Sequence, residues 1–200
     1  MIHEAGHGDH GGHSGHDQSN SRNKKLAVLI SIMACLLSVI EIGGNSAQNS
    51  SLSANITAAN LWSFFQAKSI RMTTVRSAAE MLETMTPADM PPDKVVVWKK
   101  KIADWQAMAQ RYDSEPDTGE GRRELAVRAK EAEASRDRAL AAYHLYEYAA
   151  AALQIGIVLA SASAATGVMF LAVGAGGLAL LGSVIGTIAW LAPTAIHLVH

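Results

Sequence analysis

Five of the eight histidines lie near the start of the chain, among glycines, serines and a few carboxylates. They are His3, His7, His10, His13 and His16. Neutral imidazole is the commonest protein ligand for borderline transition metals, and a flexible chain can wrap several rings onto one ion. The pattern predicts binding of Zn²⁺, Ni²⁺ or Cu²⁺ by this tail, although no cofactor is required. The alternative is a solvated tail that binds such ions only adventitiously.

Catalytic motifs do not accompany these histidines. The sequence contains no catalytic triad, no glycine-rich phosphate loop and no cysteine ligand set, because Cys35 is its single cysteine. A flexible tail also lacks the rigid surroundings that fix coordination geometry in a catalytic metal site. We therefore expect a protein that is not an enzyme.

Charged residues are concentrated in the middle of the chain. Hydrophobic residues make up 49% of the sequence and charged residues only 18%, whereas about 25% charged residues is usual for soluble domains. Apart from Arg22, Lys24 and Lys25, every Lys and Arg lies between Asn45 and Tyr148, beside an equal number of acidic residues. This formally neutral region argues against a nucleic-acid partner, and the apolar regions on either side favour membrane lipid.

Three apolar segments have the length of transmembrane helices, which need about 20 residues to cross ~30 Å of hydrocarbon. We assign them to residues 26–45, 149–165 and 168–191, with a tight turn at Thr166-Gly167. The polar residues 1–25 are predicted to be a disordered tail, and residues 192–200 form a C-terminal tail. A cleavable signal peptide is an alternative for the first segment, and a re-entrant segment is an alternative for the second.

Between the first and second spans, residues 46–148 show three heptad patterns. Apolar residues alternate at spacings of three and four in 61–82, 95–112 and 125–146, and proline- or glycine-containing connections separate these stretches. Short connections favour antiparallel neighbours. The predicted fold is therefore an all-α membrane protein with about three transmembrane helices and an antiparallel three-helix coiled-coil domain between spans 1 and 2.

Two charged residues, Lys68 and Arg136, occupy positions within these apolar seams. Antiparallel pairing predicts that Lys68 lies near Glu124 and Glu131, and that Arg136 lies near Trp62. Buried charges at such positions can specify the register of a coiled coil. The alternative is that both side chains run along the surface and keep their charges in water.

Small residues recur every four positions in the last two spans, at Ala152, Gly156, Ala160 and Ala164, and again at Gly182 and Gly186. Small residues let helix backbones approach closely in lipid. One stripe is expected to pack the hairpin within the chain. The third span carries a second stripe beside the glycine pair, which favours a further partner and predicts a homo-oligomer.

Polar residues are also predicted near one membrane face. Glu41, Gln154 and His197 all fall close to the domain side of the spans, with Glu41 and Gln154 roughly 6–8 Å below the interface at 1.5 Å per residue. Ionisable groups inside a membrane are candidates for function. The alternative is that Glu41 reaches the lipid headgroups or forms a hydrogen bond with Gln154.

A motif follows the first span and has the form W-x-x-aromatic-Q-A-K-S-x-R. It consists of Trp62, Phe65, Gln66, Ala67, Lys68, Ser69 and Arg71. With this motif the chain resembles, from Lys24 onward, a family of uncharacterised bacterial membrane proteins classed as a domain of unknown function. The resemblance implies a polar N-terminal tail, one span, the motif helix, two terminal spans and a bacterial source, but it implies no activity.

Basic residues predict the orientation. Arg22, Lys24 and Lys25 immediately precede the first span, and such residues resist translocation. A multi-pass protein of a bacterial inner membrane is expected, with its N-terminus in the cytoplasm and the coiled-coil domain in the periplasm. The basic residues within 130–138, ahead of the second span, favour the reverse orientation.

Three functions are compatible with this layout. The leading interpretation is an oligomeric scaffold or interaction protein of unknown biochemical activity, whose protein partner the sequence does not name. The alternative is a divalent-metal handling or transport accessory protein that uses the His-rich tail. A small channel is less favoured, because no span carries a clear polar stripe.

Overall fold

A computed structural model describes the backbone of residues 13–195 and the side chains of residues 21–195. Four helices follow one another: α1 (His13–Thr84), α2 (Pro92–Asp113), α3 (Arg122–Thr166) and α4 (Met169–Leu191). The described residues contain no strand. Helices α1, α3 and α4 are each long and apolar enough to cross a membrane, which confirms the all-α class and the three candidate spans.

The beginning of α1 differs from the prediction. We expected a disordered tail throughout residues 1–25, but the helix already begins at His13. Forming the first turn is the unfavourable step in helix formation, whereas each added residue then gains one hydrogen bond. A helix formed by the apolar segment can therefore extend backwards into polar sequence.

The three predicted helix breaks occur where proline or glycine residues stand, after Thr84, Asp113 and Thr166. Helix α2 begins at Pro92, because the fixed φ and missing N–H of proline suit a first helical turn. Helix α3 ends at Thr166, and Gly167 follows with a φ of +78°. The Gly167 N–H donates to the Ser163 carbonyl at 2.9 Å. This left-handed conformation, which glycine adopts readily, makes the turn between the last two candidate spans.

The chain divides into two compact units. The first, which we call the apolar unit, comprises Met1–Gln48 and Ala139–His200, of which 13–48 and 139–195 are described. The second, which we call the charged unit, comprises Asn49–Arg138. Helices α1 and α3 each contribute to both units, so the domain boundaries predicted at residues 45 and 148 do not coincide with helix ends.

The apolar unit packs parts of α1, α3 and α4 around a small core. Met33 and Ile40 of α1 contact Ala149 and Leu153 of α3, and Ile185 of α4 packs against the same cluster. All four residues of the cluster are less than 9% exposed. The core is built from medium and small side chains, so the helix backbones can lie close together.

In the charged unit, α2 and α3 meet successive stretches of α1. Leu61 of α1 packs against Leu125 and Ala129 of α3, whereas Lys68 meets Tyr112 at the end of α2. No residue of α2 is fully buried. The three predicted helices and their apolar seams are present. However, the end of α2 lies beside Lys68 and the start of α3 lies beside Leu61, so α2 and α3 pack on successive stretches of α1.

Candidate functional site

The motif residues of α1 contact the connection between α2 and α3 and the first part of α3. We call this region the junction, and it consists of the motif, residues 111–124 and Glu133. The Trp62 indole Nε1–H donates to Glu133 at 2.8 Å, and its ring meets Phe65 edge-on, with centroids 5.3 Å apart. Phe65 in turn packs against the cluster of Leu61 and Leu125. The aromatic residues of the motif therefore fix α3 against α1.

Two arginines at the start of α3 bind the last residue of α2. Asp113 accepts from Arg122 at 2.7 Å and from Arg123 at 2.6 Å, and the Arg122 guanidinium also lies over the Phe65 ring at 5.8 Å. Partial burial acts to raise the pKa of Asp113, but the hydrogen bond from Arg122 and the charges of both arginines outweigh it and hold this pKa below its ordinary value.

The seam lysine of the motif binds the connection between α2 and α3. The Lys68 ammonium lies 3.9 Å from Glu115, 3.8 Å from Glu120 and 5.5 Å from the centroid of the Tyr112 ring. We predicted that Lys68 lies near Glu124 and Glu131. The carboxylates within ion-pair distance of Lys68 are Glu115 and Glu120, because the connection folds over it.

Other bonds close the same connection. Glu124 accepts from the Ser114 hydroxyl at 2.6 Å and from the Glu115 N–H at 3.2 Å. The bond from Ser114 lowers the pKa of Glu124, and a bond from Arg111 at 2.6 Å lowers that of Glu115. Each carboxylate of the connection that is named here thus has a basic or hydroxyl partner, and the bonds hold the loop in one arrangement.

The remaining motif residues divide by exposure. Ala67 and Ser69 are half-buried, and the Ser69 hydroxyl donates a hydrogen bond to the Phe65 carbonyl at 2.8 Å. Gln66 and Arg71 are exposed. Arg136, which we predicted near Trp62, pairs with its neighbour Asp137 at 2.9 Å, and Trp62 bonds to Glu133, one helical turn earlier on α3. Five of the seven motif residues therefore face the intramolecular packing, whereas Gln66 and Arg71 face outward.

A cavity of about 730 Å³ opens beside the junction. Met72 and Arg76 of α1, Gln106 of α2 and the pair of Asp113 with Arg122 all contribute to its wall. The basic groups of the wall already have acidic neighbours, since Arg76 lies 3.9 Å from Glu80. The geometry therefore favours a structural role for this cluster.

The small-residue stripes pack within the apolar unit. Ala152 and Ala160 are buried, Gly156 lies against Met33, and Ala164 is half-buried. A side chain at Gly182 would place its Cβ 2.9 Å from the Ala149 carbonyl oxygen.

The second glycine of the pair is equally enclosed. A Cβ at Gly186 would lie 3.0 Å from Ile40. The sequence left open whether the glycine pair packs within one chain or between chains. In this structure both glycines face neighbours of the same chain.

Two of the three predicted polar residues, Glu41 and Gln154, lie within the described residues. Glu41 borders a cavity of about 280 Å³ together with Tyr143, Tyr146 and Glu147. Gln154 is exposed two turns further along α3, and His197 lies outside the described residues. Sequence reasoning missed Glu147, which accepts from the Tyr143 hydroxyl at 2.8 Å.

The metal prediction falls largely outside the described chain. His3, His7 and His10 precede the first described residue, and His13 and His16 belong to the first turns of α1. Within the residues whose side chains are described, no group of three or more His, Cys, Asp or Glu is placed to hold a metal ion.

Sequence reasoning also missed the residues that close the junction. Asp113, Arg122 and Arg123 lay outside the apolar seams from which the pairing was inferred. The available signal was the opposite charge of two helix ends separated by a short loop. Predicting the contact of Glu133 with Trp62 requires the register between α1 and α3, which the sequence does not show.

These features define an all-helical protein with three helices long and apolar enough to cross a membrane. The chain belongs to the family described as Domain of unknown function (DUF4337), whose model matches residues 22–192. The resemblance to an uncharacterised family is thereby confirmed. Comparison with curated proteins gave no match, and comparison with solved structures gave none either.

Proposed function

We propose that this protein is a multi-pass membrane protein that serves as an oligomeric scaffold or interaction protein, with the charged unit as its binding part. The proposal assigns no catalysis to the chain. The observation that carries it is the apolar surface that the charged unit leaves exposed.

The charged unit buries few large apolar side chains and exposes many. Its core cluster consists of Leu61, Leu125 and Ala129. Apolar side chains that are more than half exposed are Leu52, Ile56, Phe64, Ile70, Met81, Met85, Val96, Val97 and Val127. Large exposed apolar areas on a water-soluble surface mark sites of protein or membrane interaction.

The same exposure in the apolar unit has a different explanation. Val28, Phe170 and Trp190 are each at least 59% exposed, but they lie on the candidate spans, where lipid would cover them. The charged unit holds most of the Lys, Arg, Asp and Glu residues. Charges are expensive in hydrocarbon, so another protein surface is the favoured cover for its apolar side chains.

Measurement of mass tests this proposal. We expect the full-length protein to have a mass of at least twice 21.2 kDa by light scattering in detergent and after reconstitution into lipid nanodiscs. A mass of one chain in both media would overturn the oligomeric scaffold. The mass of bound detergent or lipid must be subtracted by refractive index and absorbance.

The proposed location is a bacterial inner membrane, with the N-terminus in the cytoplasm and the charged unit in the periplasm. The support is the group Arg22, Lys24 and Lys25 ahead of the first candidate span. Three spans would put a reporter fused after His200 on the side of the charged unit. Periplasmic phosphatase activity of such a fusion is the expected result, and a fluorescent cytoplasmic fusion would reverse the orientation.

A second candidate function is divalent-metal handling by the His-rich tail, and its support is the cluster of five histidines before residue 17. We expect roughly one or two Zn²⁺ or Ni²⁺ ions to bind the full chain. Deletion of residues 1–20 should abolish the calorimetric signal and leave the far-ultraviolet circular dichroism per residue nearly unchanged. Absence of heat with the full chain would remove this candidate.

A further inference from the structure

Helix α1 carries two faces within the charged unit. Leu61, Phe65 and Lys68 belong to the face that packs against α2 and α3. Two positions before each of them stands an exposed residue, about 200° away around a helix of 3.6 residues per turn. We call this opposite face the outer stripe, and it consists of Leu52, Ile56, Ala59, Ser63, Gln66 and Ile70.

The spacing of the outer stripe is that of a coiled-coil seam. Its residues follow one another at intervals of four, three, four, three and four, which is the a and d pattern of a heptad repeat. All six residues are exposed. The stripe spans about 27 Å at 1.5 Å per residue, so it is long enough for a helix to lie along it.

The outer stripe contains no charged residue. The charged residues of α1 between residues 49 and 76 are Lys68, Arg71 and Arg76, and each lies on another face of the helix. An exposed helix face outside a membrane usually carries charge. Residues 49–67 carry no charge on any face of α1, so two copies of the stripe can meet without repulsion between like charges.

A second copy of the chain is the occupant that this neutrality favours. All copies insert into the membrane with the same orientation, so the α1 helices of two neighbours run in the same direction. In a parallel pair each seam position meets its own counterpart. A charged stripe would then repel itself, whereas a neutral stripe can pair with its own copy.

The exposed glutamine of the motif fits the same arrangement. Gln66 occupies a d position of the outer stripe, and its amide has no hydrogen-bond partner among the described residues. In a parallel pair two such amides face each other, and each can donate to and accept from the other. A polar residue in a coiled-coil seam specifies register at some cost in stability.

We propose that two copies of the protein pair in parallel through the outer stripes of α1, with Leu52, Ile56 and Ile70 packed on their counterparts and Gln66 fixing the register. This inference rests on the proposed self-association and identifies its surface. The footprint is roughly 300 Å² per copy for a stripe about 27 Å long and 10–12 Å wide, below the ~800 Å² of a standard interface. Anchoring in one membrane raises the effective concentration and compensates for this small area.

Disulfide cross-linking tests the pairing in membranes that contain the full chain. The protein has a single cysteine, so Cys35→Ser gives a clean background. Ser63→Cys places a thiol on the outer stripe, and Thr57→Cys places one on the flank. The two sites are matched, because both hydroxyls are exposed and each bonds to the carbonyl four residues earlier at 2.9 Å.

We expect mild oxidation to give about tenfold more covalent dimer with Ser63→Cys than with Thr57→Cys, because disulfides need Cβ atoms about 3.5–4.5 Å apart. Equal yields would overturn the assigned surface. If the mass measurement shows an oligomer and the yields are equal, only this inference fails. If the mass is that of one chain, the proposed scaffold fails as well.

A charge substitution provides an independent test. Ile56 and Phe64 are 60% and 62% exposed on the same helix, but only Ile56 belongs to the outer stripe. Ile56→Lys in the Ser63→Cys background should lower the dimer yield about tenfold, because two like charges would face each other. Phe64→Lys should leave the yield unchanged. Equal loss in both variants, or cross-linking of Ser63→Cys to a polypeptide of another mass, would contradict pairing with a second copy.

Discussion

The helices of the apolar unit and those of the charged unit pack through different kinds of side chain. In the apolar unit small residues such as Gly182 and Gly186 let α4 approach its neighbours until no space remains for a methyl group. In the charged unit the helices meet through aromatic rings and ion pairs, as where Phe65 packs against Arg122 and where Arg122 pairs with Asp113.

The difference follows from the surroundings that each unit is proposed to have. In lipid the hydrophobic effect does not drive helices together, so association depends on close contact between backbones. In water apolar burial and hydrogen-bonded charges are both available. An exposed apolar side chain is therefore unremarkable in the apolar unit, whereas in the charged unit it points to a partner.

The largest expected effect is the loss of close packing in the apolar unit. Gly182→Leu would drive a side chain into the Ala149 carbonyl and Leu153, and overpacking of this kind costs about 1–3 kcal/mol or more. The apparent melting temperature in detergent should fall clearly. Gly177→Leu is the control, because a Cβ at Gly177 would meet nothing within 4 Å. Equal melting temperatures for the two variants would contradict the observed packing of α4.

The next effect concerns the junction of the charged unit. Asp113→Ala removes the acceptor shared by Arg122 and Arg123, and a hydrogen bond to a charged group contributes about 1.5–3 kcal/mol. We expect faster amide hydrogen exchange at the end of α2 and in the following connection. Asp117→Ala, at an exposed site of the same connection, should leave the exchange unchanged. Equal exchange in both variants would show that the Asp113 bonds do not hold the junction.

Acid should weaken the same junction. The pKa of Asp113 is lowered in the folded protein by Arg122 and Arg123. A lowered pKa contributes stability that is fully present above the unfolded value, about 3.9, and is lost as pH falls through the folded value. Thermal unfolding followed by circular dichroism should show a larger decrease between pH 5 and pH 3 for the wild type than for Asp113→Asn. An identical decrease would assign the acid sensitivity to other groups.

The smallest effect is expected from the indole bond of the motif. Trp62→Phe keeps an aromatic ring beside Phe65 and removes the 2.8 Å bond to Glu133. A hydrogen bond to a charged group contributes about 1.5–3 kcal/mol, and the partial exposure of Glu133 should keep this bond near the lower end of that range. Chemical denaturation would measure this loss, and Trp98→Phe in α2 serves as the control for removing an indole. If Trp62→Phe lowers the free energy of unfolding no more than Trp98→Phe does, the bond to Glu133 does not stabilise the packing of α3.

Local features of the sequence were sufficient to predict the helices and where they end. Pro92 and Gly167 act on their own backbone through a fixed φ and a left-handed φ, so their effect can be read without any partner. Apolar spacing likewise identified the face of α1 that carries Leu61 and Phe65. These properties depend on residues within one or two helical turns, which the sequence displays directly.

The tertiary structure alone decided which surfaces meet. Lys68 lies beside Glu115 and Glu120 because the connection folds over it, and the small residues at Gly182 and Gly186 face their own chain. Such contacts depend on the register between helices that are distant in sequence and on the path of a short loop. Several registers satisfy one heptad pattern, and the sum of side-chain packing and ion pairing over the whole unit selects among them.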